Sequence, residues 1–397
     1  MQSFTYHCPT EIVFGRGAEN AVAGKLRAFG ASRVLVLYGG GSALRSGLLS
    51  RIEQNLTSHG LAFLVMGGIR PNPRVSFVRE AIREGIAADV NFILAVGGGS
   101  VIDSAKAVAH GIANPTVDIW DIWTHKVEIT KTMPFGSVLT IPAAGSETSD
   151  SAVLTNEDTG QKCGLNAPIN RPVFAFMNPE LAFTLPREQI AAGGAGIMMH
   201  TMERYFTDVK EPNVFTDRVA EALIQTAMES VQSLLISRKD YDAMSELMWC
   251  GSVSHSDFTE LGRRKDFSVH KLGHALSARF DSTHARTLTA LWGAWARHVY
   301  RHDAARFAHF SAAIFGVDAG THEERARAGI RRMEEFFQSI GMPTSLAGLG
   351  VGAPLAKGVI EELASAATAN DTIRLGCFHP LTRVDAIAIY EVANHCA

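Results

Sequence analysis

Two apolar runs, each followed directly by three glycines, constrain the fold of this chain more than any other feature. Residues 33–38 (RVLVLY) precede glycines 39–41, and residues 92–96 (FILAV) precede glycines 97–99. A segment that can form an amphipathic helix follows each glycine run. Continuous apolar runs that alternate with helices are typical of buried parallel strands in βα units. The pattern therefore predicts an α/β fold with a parallel sheet in the first half of the chain.

Two weaker strand signals flank these runs. Residues 137–141 predict a further strand that ends at Pro142. Residues 4–6 and 11–14 predict a short hairpin at an edge of the sheet or near a partner subunit.

The apolar pattern changes near residues 184–187. Beyond this point the apolar residues recur at helical spacing, and long β-branched runs disappear. Helices are predicted over residues 191–206, 218–236, 297–315 and 322–340. We therefore divide the chain into an α/β domain over residues 1–185 and an all-helical domain over residues 186–397.

Composition excludes several classes of protein. With 37 Lys and Arg against 40 Asp and Glu, the net charge of −3 does not favour nucleic acid or an anionic membrane as a partner. No apolar run reaches the about 18 residues of a membrane span, and we expect no cleaved secretory signal. The cysteines are scattered and lack metal-binding spacing, which favours a reducing, cytoplasmic compartment. They are Cys8, Cys163, Cys250, Cys377 and Cys396. A small-molecule substrate is expected.

The second glycine run has the position of a phosphate-binding turn. It lies directly after a predicted strand and directly before a predicted helix over residues 100–106. Glycines let a pyrophosphate approach the backbone, and a helix N-terminus offers it unpaired N–H groups and a positive dipole end. The run therefore predicts a dinucleotide site, although a tight βα turn without a ligand has the same sequence.

The first glycine run bears on the choice of dinucleotide. Enzymes that prefer NAD usually place an acidic residue after this strand, where it binds the ribose 2′-hydroxyl and repels a 2′-phosphate. Here Tyr38 is followed by three glycines and Ser42, without an acid. This favours NADP(H), and a turn that does not discriminate is the alternative.

Four histidines form the sharpest chemical pattern. His270 and His274 are four residues apart, so they share one face of a helix, and a loop through Asp281 could return His284 toward them. His200 lies on an earlier predicted helix. Imidazole clusters suit a divalent metal ion. Histidine pairs at this spacing also occur in surface and core packing, so both interpretations stay open.

Many ordered motifs give the chain a resemblance to the iron-containing (group III) alcohol dehydrogenases, nearest the NADPH-dependent butanol dehydrogenase and aldehyde reductase branch. The likeness extends from residue 3 to about residue 393, and the histidine block 270–284 completes it. The motifs are Phe14-Gly15-Arg16-Gly17, Pro71-Asn72-Pro73, Gly97-Gly98-Gly99-Ser100, Asp103-Ser104-Ala105-Lys106, Pro142-Ala143-Ala144-Gly145-Ser146-Glu147, Asn178-Pro179-Glu180-Leu181, Leu185-Pro186 and His200-Thr201-Met202-Glu203-Arg204-Tyr205.

The resemblance implies a dehydroquinate synthase-like architecture. This consists of an N-terminal Rossmann-like domain, a helical metal and substrate domain, a cofactor in the cleft between them, and commonly a homodimer. It also implies a set of cofactor-binding residues around the phosphates, ribose and remaining parts of the dinucleotide. They are Gly39, Gly40, Ser42, Asn72, Gly98, Gly99, Ser100, Asp103, Thr140, Ser146, Lys162, Leu181 and Thr184.

The resemblance assigns roles to the histidines as well. In the family one aspartate and three histidines hold iron or zinc, and His200, His270 and His284 match the three histidines. His274 matches a histidine that does not bind the ion but lies near the substrate and nicotinamide. We predict that His274 relays a proton between the alkoxide and solvent. A structural role for His274 also stays open.

The family aspartate is missing from this chain. It belongs one helical turn before the first histidine, where Gly196 stands. Glycine supplies no ligand and costs a helix interior roughly 1 kcal/mol relative to alanine. Loss of the only anionic ligand should weaken iron binding more than zinc binding. Glu203 and Asp266 lie near the histidines in sequence, but neither is predicted to be a ligand.

Three outcomes of this substitution are open. A metal ion still binds through the three histidines, or the site works without metal, or the site is weakened or inactive. We accordingly predict an oxidoreductase that transfers hydride between NADP(H) and an alcohol or aldehyde, with a divalent metal as Lewis acid. The alternatives are a metal-independent reductase of an oxo acid, like the maleylacetate reductases, and a cofactor-binding scaffold. The substrate remains unassigned because the pocket depends on Trp120, Trp123, Phe258 and Phe267.

Overall fold

A computed structural model describes residues 1–395 of the chain, so Cys396 lies outside the described residues. The chain forms two compact units. The sheet unit consists of His7–Leu185 and Lys239–Ser256. The helical unit consists of Met1–Tyr6, Pro186–Arg238 and residues 257–395.

Eight strands and sixteen α-helices are found in the described residues. The strands are β1 (Glu11–Phe14), β2 (Arg33–Tyr38), β3 (Ala62–Met66), β4 (Phe92–Gly97), β5 (Phe135–Leu139), β6 (Ser151–Asn156), β7 (Gln161–Asn166) and β8 (Phe174–Met177). The helices are α1 (Val22–Ala28), α2 (Ser42–Arg45), α3 (Leu48–Ser58), α4 (Val75–Ala87), α5 (Gly99–Ala113), α6 (Ile119–Trp123), α7 (Arg187–Tyr205), α8 (Val214–Ile236), α9 (Tyr241–Ser254), α10 (Ser268–Phe280), α11 (His284–Val299), α12 (Ala304–Phe315), α13 (His322–Ser339), α14 (Leu346–Leu349), α15 (Lys357–Ala367) and α16 (Arg383–His395).

The sheet unit contains a six-stranded parallel sheet with the order β1-β8-β5-β4-β2-β3. Its central strand β4 is buried along its whole length, as a strand covered on both faces must be. The predicted α/β class is therefore confirmed, with strands at both apolar runs that precede glycines. The strand predicted over residues 137–141 is β5, which begins and ends earlier, at Phe135 and Leu139. It pairs with β4, and Leu139 lies opposite Gly97.

The predicted N-terminal hairpin is wrong. Residues 11–14 do form β1, but β1 pairs in parallel with β8, which is more than 150 residues later in the chain. Residues 4–6 form no strand and belong to the helical unit, where the Met1 amino group donates to the Pro212 carbonyl oxygen at 2.8 Å. A hairpin requires antiparallel neighbours, and the distant partner of β1 excludes it.

Each unit is discontinuous in sequence, whereas the predicted domains are continuous segments. Helix α9 lies in the second predicted domain but belongs to the sheet unit. It does so because the loop after β5 contacts it: the Thr148 hydroxyl donates to the Ser252 carbonyl oxygen at 2.8 Å. The His255 ring is hydrogen-bonded to the Ala144 carbonyl oxygen at 2.7 Å.

The helical unit follows most of the predicted helical pattern. Three predicted helices correspond to α7, α8 and α13, and a capping box between Thr321 and Glu324 begins α13. The helix predicted over residues 297–315 is interrupted by a 3-10 turn at Tyr300–Asp303. The Asp303 side chain accepts a hydrogen bond from the Arg306 N–H and so begins a new helix, α12. In residues 1–395 every helix is too short or too polar to span a bilayer.

A buried polar network supports β6 and β7, the antiparallel pair that stands apart from the main sheet. The His110 ring on α5 is hydrogen-bonded to the Thr132 hydroxyl at 2.8 Å and to the Asn170 side-chain oxygen at 2.5 Å. The Asn170 amide donates in turn to the carbonyl oxygens of Asp150 and Leu165, at the ends of the pair. Burial lowers the pKa of His110 to about 4.

This shift predicts a loss of stability in acid. As the pH falls from 6.5 toward 4, the unfolded chain takes up a proton on His110 that the folded chain does not, so folding becomes less favourable. One pKa unit is worth about 1.4 kcal/mol, so this group should lower the free energy of unfolding by about 2 kcal/mol between pH 7 and pH 5. His110→Gln keeps a donor and an acceptor but removes the titration. Urea unfolding at both pH values should show a smaller loss in the variant; an equal loss in both proteins would contradict the prediction.

Candidate functional site

The two glycine runs lie side by side at one edge of the sheet. Strands β2 and β4 are neighbours, and the chain continues from β2 to β3 in one direction and from β4 to β5 in the other. This reversal of strand order opens a crevice outside the carboxyl ends of the two strands, where ligands bind in open α/β sheets. Residues 39–42 and 97–100 flank that position.

The second run begins a helix of 15 residues, α5, whose N-cap residue, Gly98, has no side chain to cap it. A Cβ atom on Gly98 would lie 3.0 Å from the Ile141 side chain, so the backbone at Gly98 is closely packed against this neighbour. A Cβ atom on Gly40 would meet nothing within 4 Å. The bare helix N-terminus and the open first turn fit an anionic group such as a pyrophosphate.

Asp103 links α5 to two neighbouring segments. Its carboxylate accepts hydrogen bonds from the Ser146 hydroxyl at 2.6 Å and from the Val153 N–H at 3.0 Å. The fully buried Lys106 lies 4.0 Å from the same carboxylate and donates to the Ser149 and Ser151 carbonyl oxygens. Burial raises the pKa of Asp103 and lowers that of Lys106 to about 8.

The predicted cofactor residues all lie in the sheet unit. Most follow the carboxyl end of a strand: Gly39, Gly40 and Ser42 after β2, Asn72 after β3, Gly98, Gly99, Ser100 and Asp103 from β4 onward, Thr140 and Ser146 after β5, and Leu181 and Thr184 after β8. Lys162 lies on β7, and its ammonium group donates to the Asn72 side-chain oxygen at 2.8 Å. The structure therefore brings these residues to one edge of the unit, and their contact with a dinucleotide stays a prediction.

Sequence reasoning missed the contribution of α9 to this edge. The loop of residues 142–148 carries Ser146, and Gly145 within it has a φ of +64° and lies against the Gly251 carbonyl oxygen of α9. The Ser252 hydroxyl donates to the buried Glu147 carboxylate at 2.5 Å. The glycine in the Ala144-Gly145-Ser146 motif was the available signal, because a close backbone approach needs glycine.

A second cluster lies in the helical unit. His200 on α7, His270 on α10 and His284 at the start of α11 each offer a ring nitrogen, and these atoms lie within 4.8 Å of one another. The ring centroids are 4.5, 5.1 and 6.2 Å apart. In residues 1–395 no other group of three histidine, cysteine or carboxylate ligands comes so close together. Three imidazoles with a further open position are a known ligand set for catalytic zinc, so these residues fit a divalent ion.

Gly196 lies on the same helix as His200, one turn earlier, and is buried. No carboxylate joins the three histidines in the cluster that the described residues form. The donor set is therefore made of neutral imidazoles alone.

The carboxylate of Glu203 lies behind the cluster. It is 1% exposed and accepts a hydrogen bond from Nδ1 of His270. It also accepts from the Val269 N–H at 2.7 Å and the His270 N–H at 3.4 Å, at the start of α10. Burial raises the pKa of Glu203 to about 8, and the two N–H groups and Arg204 act in the opposite direction.

His274 lies beside the three histidines and is less buried than His270. Its ring centroid is 5.2 Å from that of His284 and 6.3 Å from that of His270. The Phe267 ring also lies against the cluster, with its centroid 4.5 Å from that of His270 and 6.0 Å from that of His200. A proton-transferring group at the position of His274 would be accessible to a substrate at the cluster.

The other aromatic residues considered for the substrate pocket have different surroundings within their own units. The Trp123 ring is buried in the sheet unit, and its N–H donates to the Ala152 carbonyl oxygen at 3.3 Å. Trp120, on the same short helix, is buried as well. Phe258 packs against Tyr6 and Phe215. Phe267 contacts the histidine cluster through the rings of His200 and His270.

Comparison with known proteins gives matches along nearly the whole chain. The family model for iron-containing alcohol dehydrogenase matches residues 9–179, and the model for the C-terminal part of the same family matches residues 190–394. The NADH-dependent butanol dehydrogenase A of Clostridium acetobutylicum is 35% identical over 393 residues, which cover 98% of this chain and 99% of that protein. The NADPH-dependent aldehyde reductase of Escherichia coli is 33% identical over 99% of this chain and 100% of that protein.

A solved structure agrees with these sequence matches. The NADH-dependent butanol dehydrogenase A of Thermotoga maritima superposes with a TM-score of 0.95 and 34% identity, covering 99% of both chains. The fold of the whole chain is therefore that of the proteins it matches in sequence.

The contact between Gly145 and α9 gives a test of how the cofactor edge is supported. Gly145→Ala should destabilise the protein by about 1–3 kcal/mol more than Gly160→Ala, because both glycines have a φ of +64° but only the Cβ atom at residue 145 meets other atoms. Thermal unfolding and dinucleotide affinity should both be measured. Equal effects of the two substitutions would show that the loop does not depend on this contact.

Proposed function

The chain belongs to the iron-containing alcohol dehydrogenase family, and from this premise we propose that it transfers hydride between NADP(H) and an alcohol or aldehyde. The observation that carries the proposal is the cluster of His200, His270 and His284, whose ligand nitrogens lie within 4.8 Å of one another. A cytoplasmic location and a homodimeric assembly stay predictions from the resemblance.

Each group of residues has a separate task in this proposal. His200, His270 and His284 hold a divalent ion, and the N-terminus of α5 with the turn after β2 binds the phosphates of the dinucleotide. When bound, the ion polarises the substrate oxygen and the reduced nicotinamide supplies the hydride. His274 gives a proton to the alkoxide oxygen during aldehyde reduction and accepts it in the reverse direction.

The preference for NADP(H) rests on the turn after β2. The named relatives include both NADH-dependent and NADPH-dependent proteins, so relationship alone does not select the dinucleotide. Residues 39–42 contain no carboxylate, and the space above Gly40 is open. A guanidinium nitrogen of Arg45 lies 3.1 Å from the position of a Cβ atom on Gly41. A nearby arginine without an acid favours a 2′-phosphate.

The identity of the ion follows from the donor set. Neutral imidazole ligands suit zinc, and Gly196 removes the carboxylate that would favour iron. We therefore propose zinc as the preferred ion.

One experiment separates this function from its alternatives. Purified protein is assayed for bound metal, for NADPH binding by fluorescence, and for NADPH-dependent reduction of butanal. Metal-dependent turnover supports the proposal. NADPH binding without metal and without turnover would indicate a cofactor-binding scaffold, and chelator-insensitive reduction of an unsaturated oxo acid would indicate a metal-independent reductase.

The cofactor preference can be reversed at one residue. Gly40→Asp should raise the KM for NADPH by roughly tenfold and leave that for NADH equal or lower, because the new carboxylate repels the 2′-phosphate. The side chain fits there, since a Cβ atom on Gly40 meets no atom within 4 Å. Gly24→Asp adds the same charge at another open position, on α1, and is the matched control. An unchanged NADPH-to-NADH ratio in Gly40→Asp would remove the support for NADP(H).

Restoring the missing carboxylate tests the metal site directly. Gly196→Asp should bind iron(II) roughly tenfold or more tightly than the wild type, a gain of about 1.4 kcal/mol or more, because an anionic ligand then joins the three imidazoles. Gly196→Asn has the same size without the charge and is the control. Affinities come from competition with a chelator, together with butanal reduction. Equal iron affinity in all three proteins would show that residue 196 does not reach the ion.

A further inference from the structure

The carboxylate of Glu203 contacts the histidine cluster through one imidazole, that of His270. Glu203 lies on α7 three residues after His200, which places both side chains on neighbouring parts of one helix face. Its carboxylate accepts a hydrogen bond from Nδ1 of His270, so the nitrogen that His270 can offer to an ion is Nε2. The carboxylate and a bound ion would thus lie on opposite sides of one ring.

The surroundings hold this carboxylate in place. The N–H groups of Val269 and His270 donate to its two oxygens at 2.7 and 3.4 Å, and the side chain is 1% exposed. These hydrogen bonds hold Glu203 in an orientation in which the His270 ring is turned toward His200 and His284. A carboxylate hydrogen-bonded to a metal-binding histidine fixes the tautomer and raises the basicity of the ring.

We propose that Glu203 supplies negative charge to the metal site through His270, at a site where Gly196 provides no carboxylate ligand. This inference rests on the proposed function, since it requires that the three histidines bind an ion. In this role Glu203 is a positioning residue, because it does not touch the ion or the substrate. A divalent ion beyond the ring would in turn stabilise the ionised form of Glu203.

Asp266 provides an internal comparison. It is also buried, and it also binds the start of α10, because its carboxylate accepts from the Ser268 N–H at 3.1 Å. Its other oxygen accepts from the N–H groups of Cys377 and Phe378, at 2.8 Å each. Asp266 thus shares the burial and the helix-start contact of Glu203, and its backbone N–H donates to the Glu203 carbonyl oxygen at 2.7 Å. The hydrogen bonds that its carboxylate accepts come from backbone N–H groups and the Ser268 hydroxyl rather than from an imidazole.

The test measures zinc affinity by competition with a chromophoric chelator, with far-UV circular dichroism as the check on folding. Glu203→Gln keeps the size and an oxygen acceptor but removes the charge, and it should weaken zinc binding about 10- to 100-fold. Asp266→Asn should change zinc affinity by less than about threefold, since it does not act through an imidazole. Equal losses in the two variants would mean that Glu203 only stabilises the helix start, and would overturn the proposal.

Two further variants keep the test decisive. In the Gly196→Asp background the direct ligand supplies the charge, so Glu203→Gln should cost much less zinc affinity there than in the wild type. An equal loss in both backgrounds contradicts the proposal.

If Glu203→Gln does not fold, Glu203→Asp is used, because it draws the carboxylate away from His270 while keeping the buried charge. Its zinc affinity should fall, and wild-type affinity would overturn the proposal.

The wild type distinguishes this inference from the function on which it rests. Absence of zinc binding by the wild type overturns both the metal site and the role of Glu203. Equal zinc binding by the wild type and Glu203→Gln overturns only the role of Glu203. Dinucleotide affinity, measured on the same proteins, should be unchanged by Glu203→Gln because the predicted cofactor residues lie in the sheet unit.

Discussion

The candidate cofactor site depends on one constraint, which is that all strands of the main sheet are parallel. Parallel strands end at the same edge, so each turn that follows a strand delivers its residues there. The reversal of strand order between β2 and β4 then separates two of these turns and leaves space between them. Glycine-rich turns after both strands keep that space open, and the long α5 directs its N-terminus at it.

The histidine cluster depends on a different kind of interaction, a buried carboxylate that is fully hydrogen-bonded. Glu203 joins the middle of α7 to the first turn of α10 through backbone N–H groups and the His270 ring. An unsatisfied carboxylate at this depth would be costly, so its hydrogen bonds hold the two helices in register. The separation between His200 and His270 is a consequence of that register.

The sequence allowed prediction of the elements that depend on local pattern and missed those that depend on distant partners. The strand at residues 33–38 was predictable from an apolar run before glycines. The pairing of β1 with β8 was not, because nothing local to residues 11–14 specifies a partner more than 150 residues away. The association of α9 with the sheet unit depends on a backbone contact at Gly145, and the hydrophobic periodicity of the sequence does not indicate such contacts.

The same distinction holds within the site. Spacing placed His270 and His274 on one helix face and predicted a loop that returns His284 toward them, with His200 on an earlier helix. Family resemblance then assigned His200, His270 and His284 as the metal ligands. Neither identified Glu203 as a partner of His270, because the two residues are 67 positions apart and meet only after α7 and α10 pack. A comparison of motifs shows that glycine replaces the family aspartate. It does not show which other carboxylate lies beside the histidines, because that depends on how the helices pack.

A carboxylate that acts through an imidazole affects a bound ion differently from a carboxylate that is a direct ligand. A carboxylate ligand neutralises part of the charge of a divalent ion and strengthens its binding, whereas a carboxylate behind an imidazole acts more weakly on both. An ion bound by three neutral imidazoles retains more of its positive charge, and this charge polarises a water or substrate oxygen at the fourth position. If His200, His270 and His284 bind an ion as proposed, the glycine at residue 196 should therefore weaken retention of the ion more than its capacity to polarise a carbonyl group, provided that Glu203 keeps His270 oriented and basic.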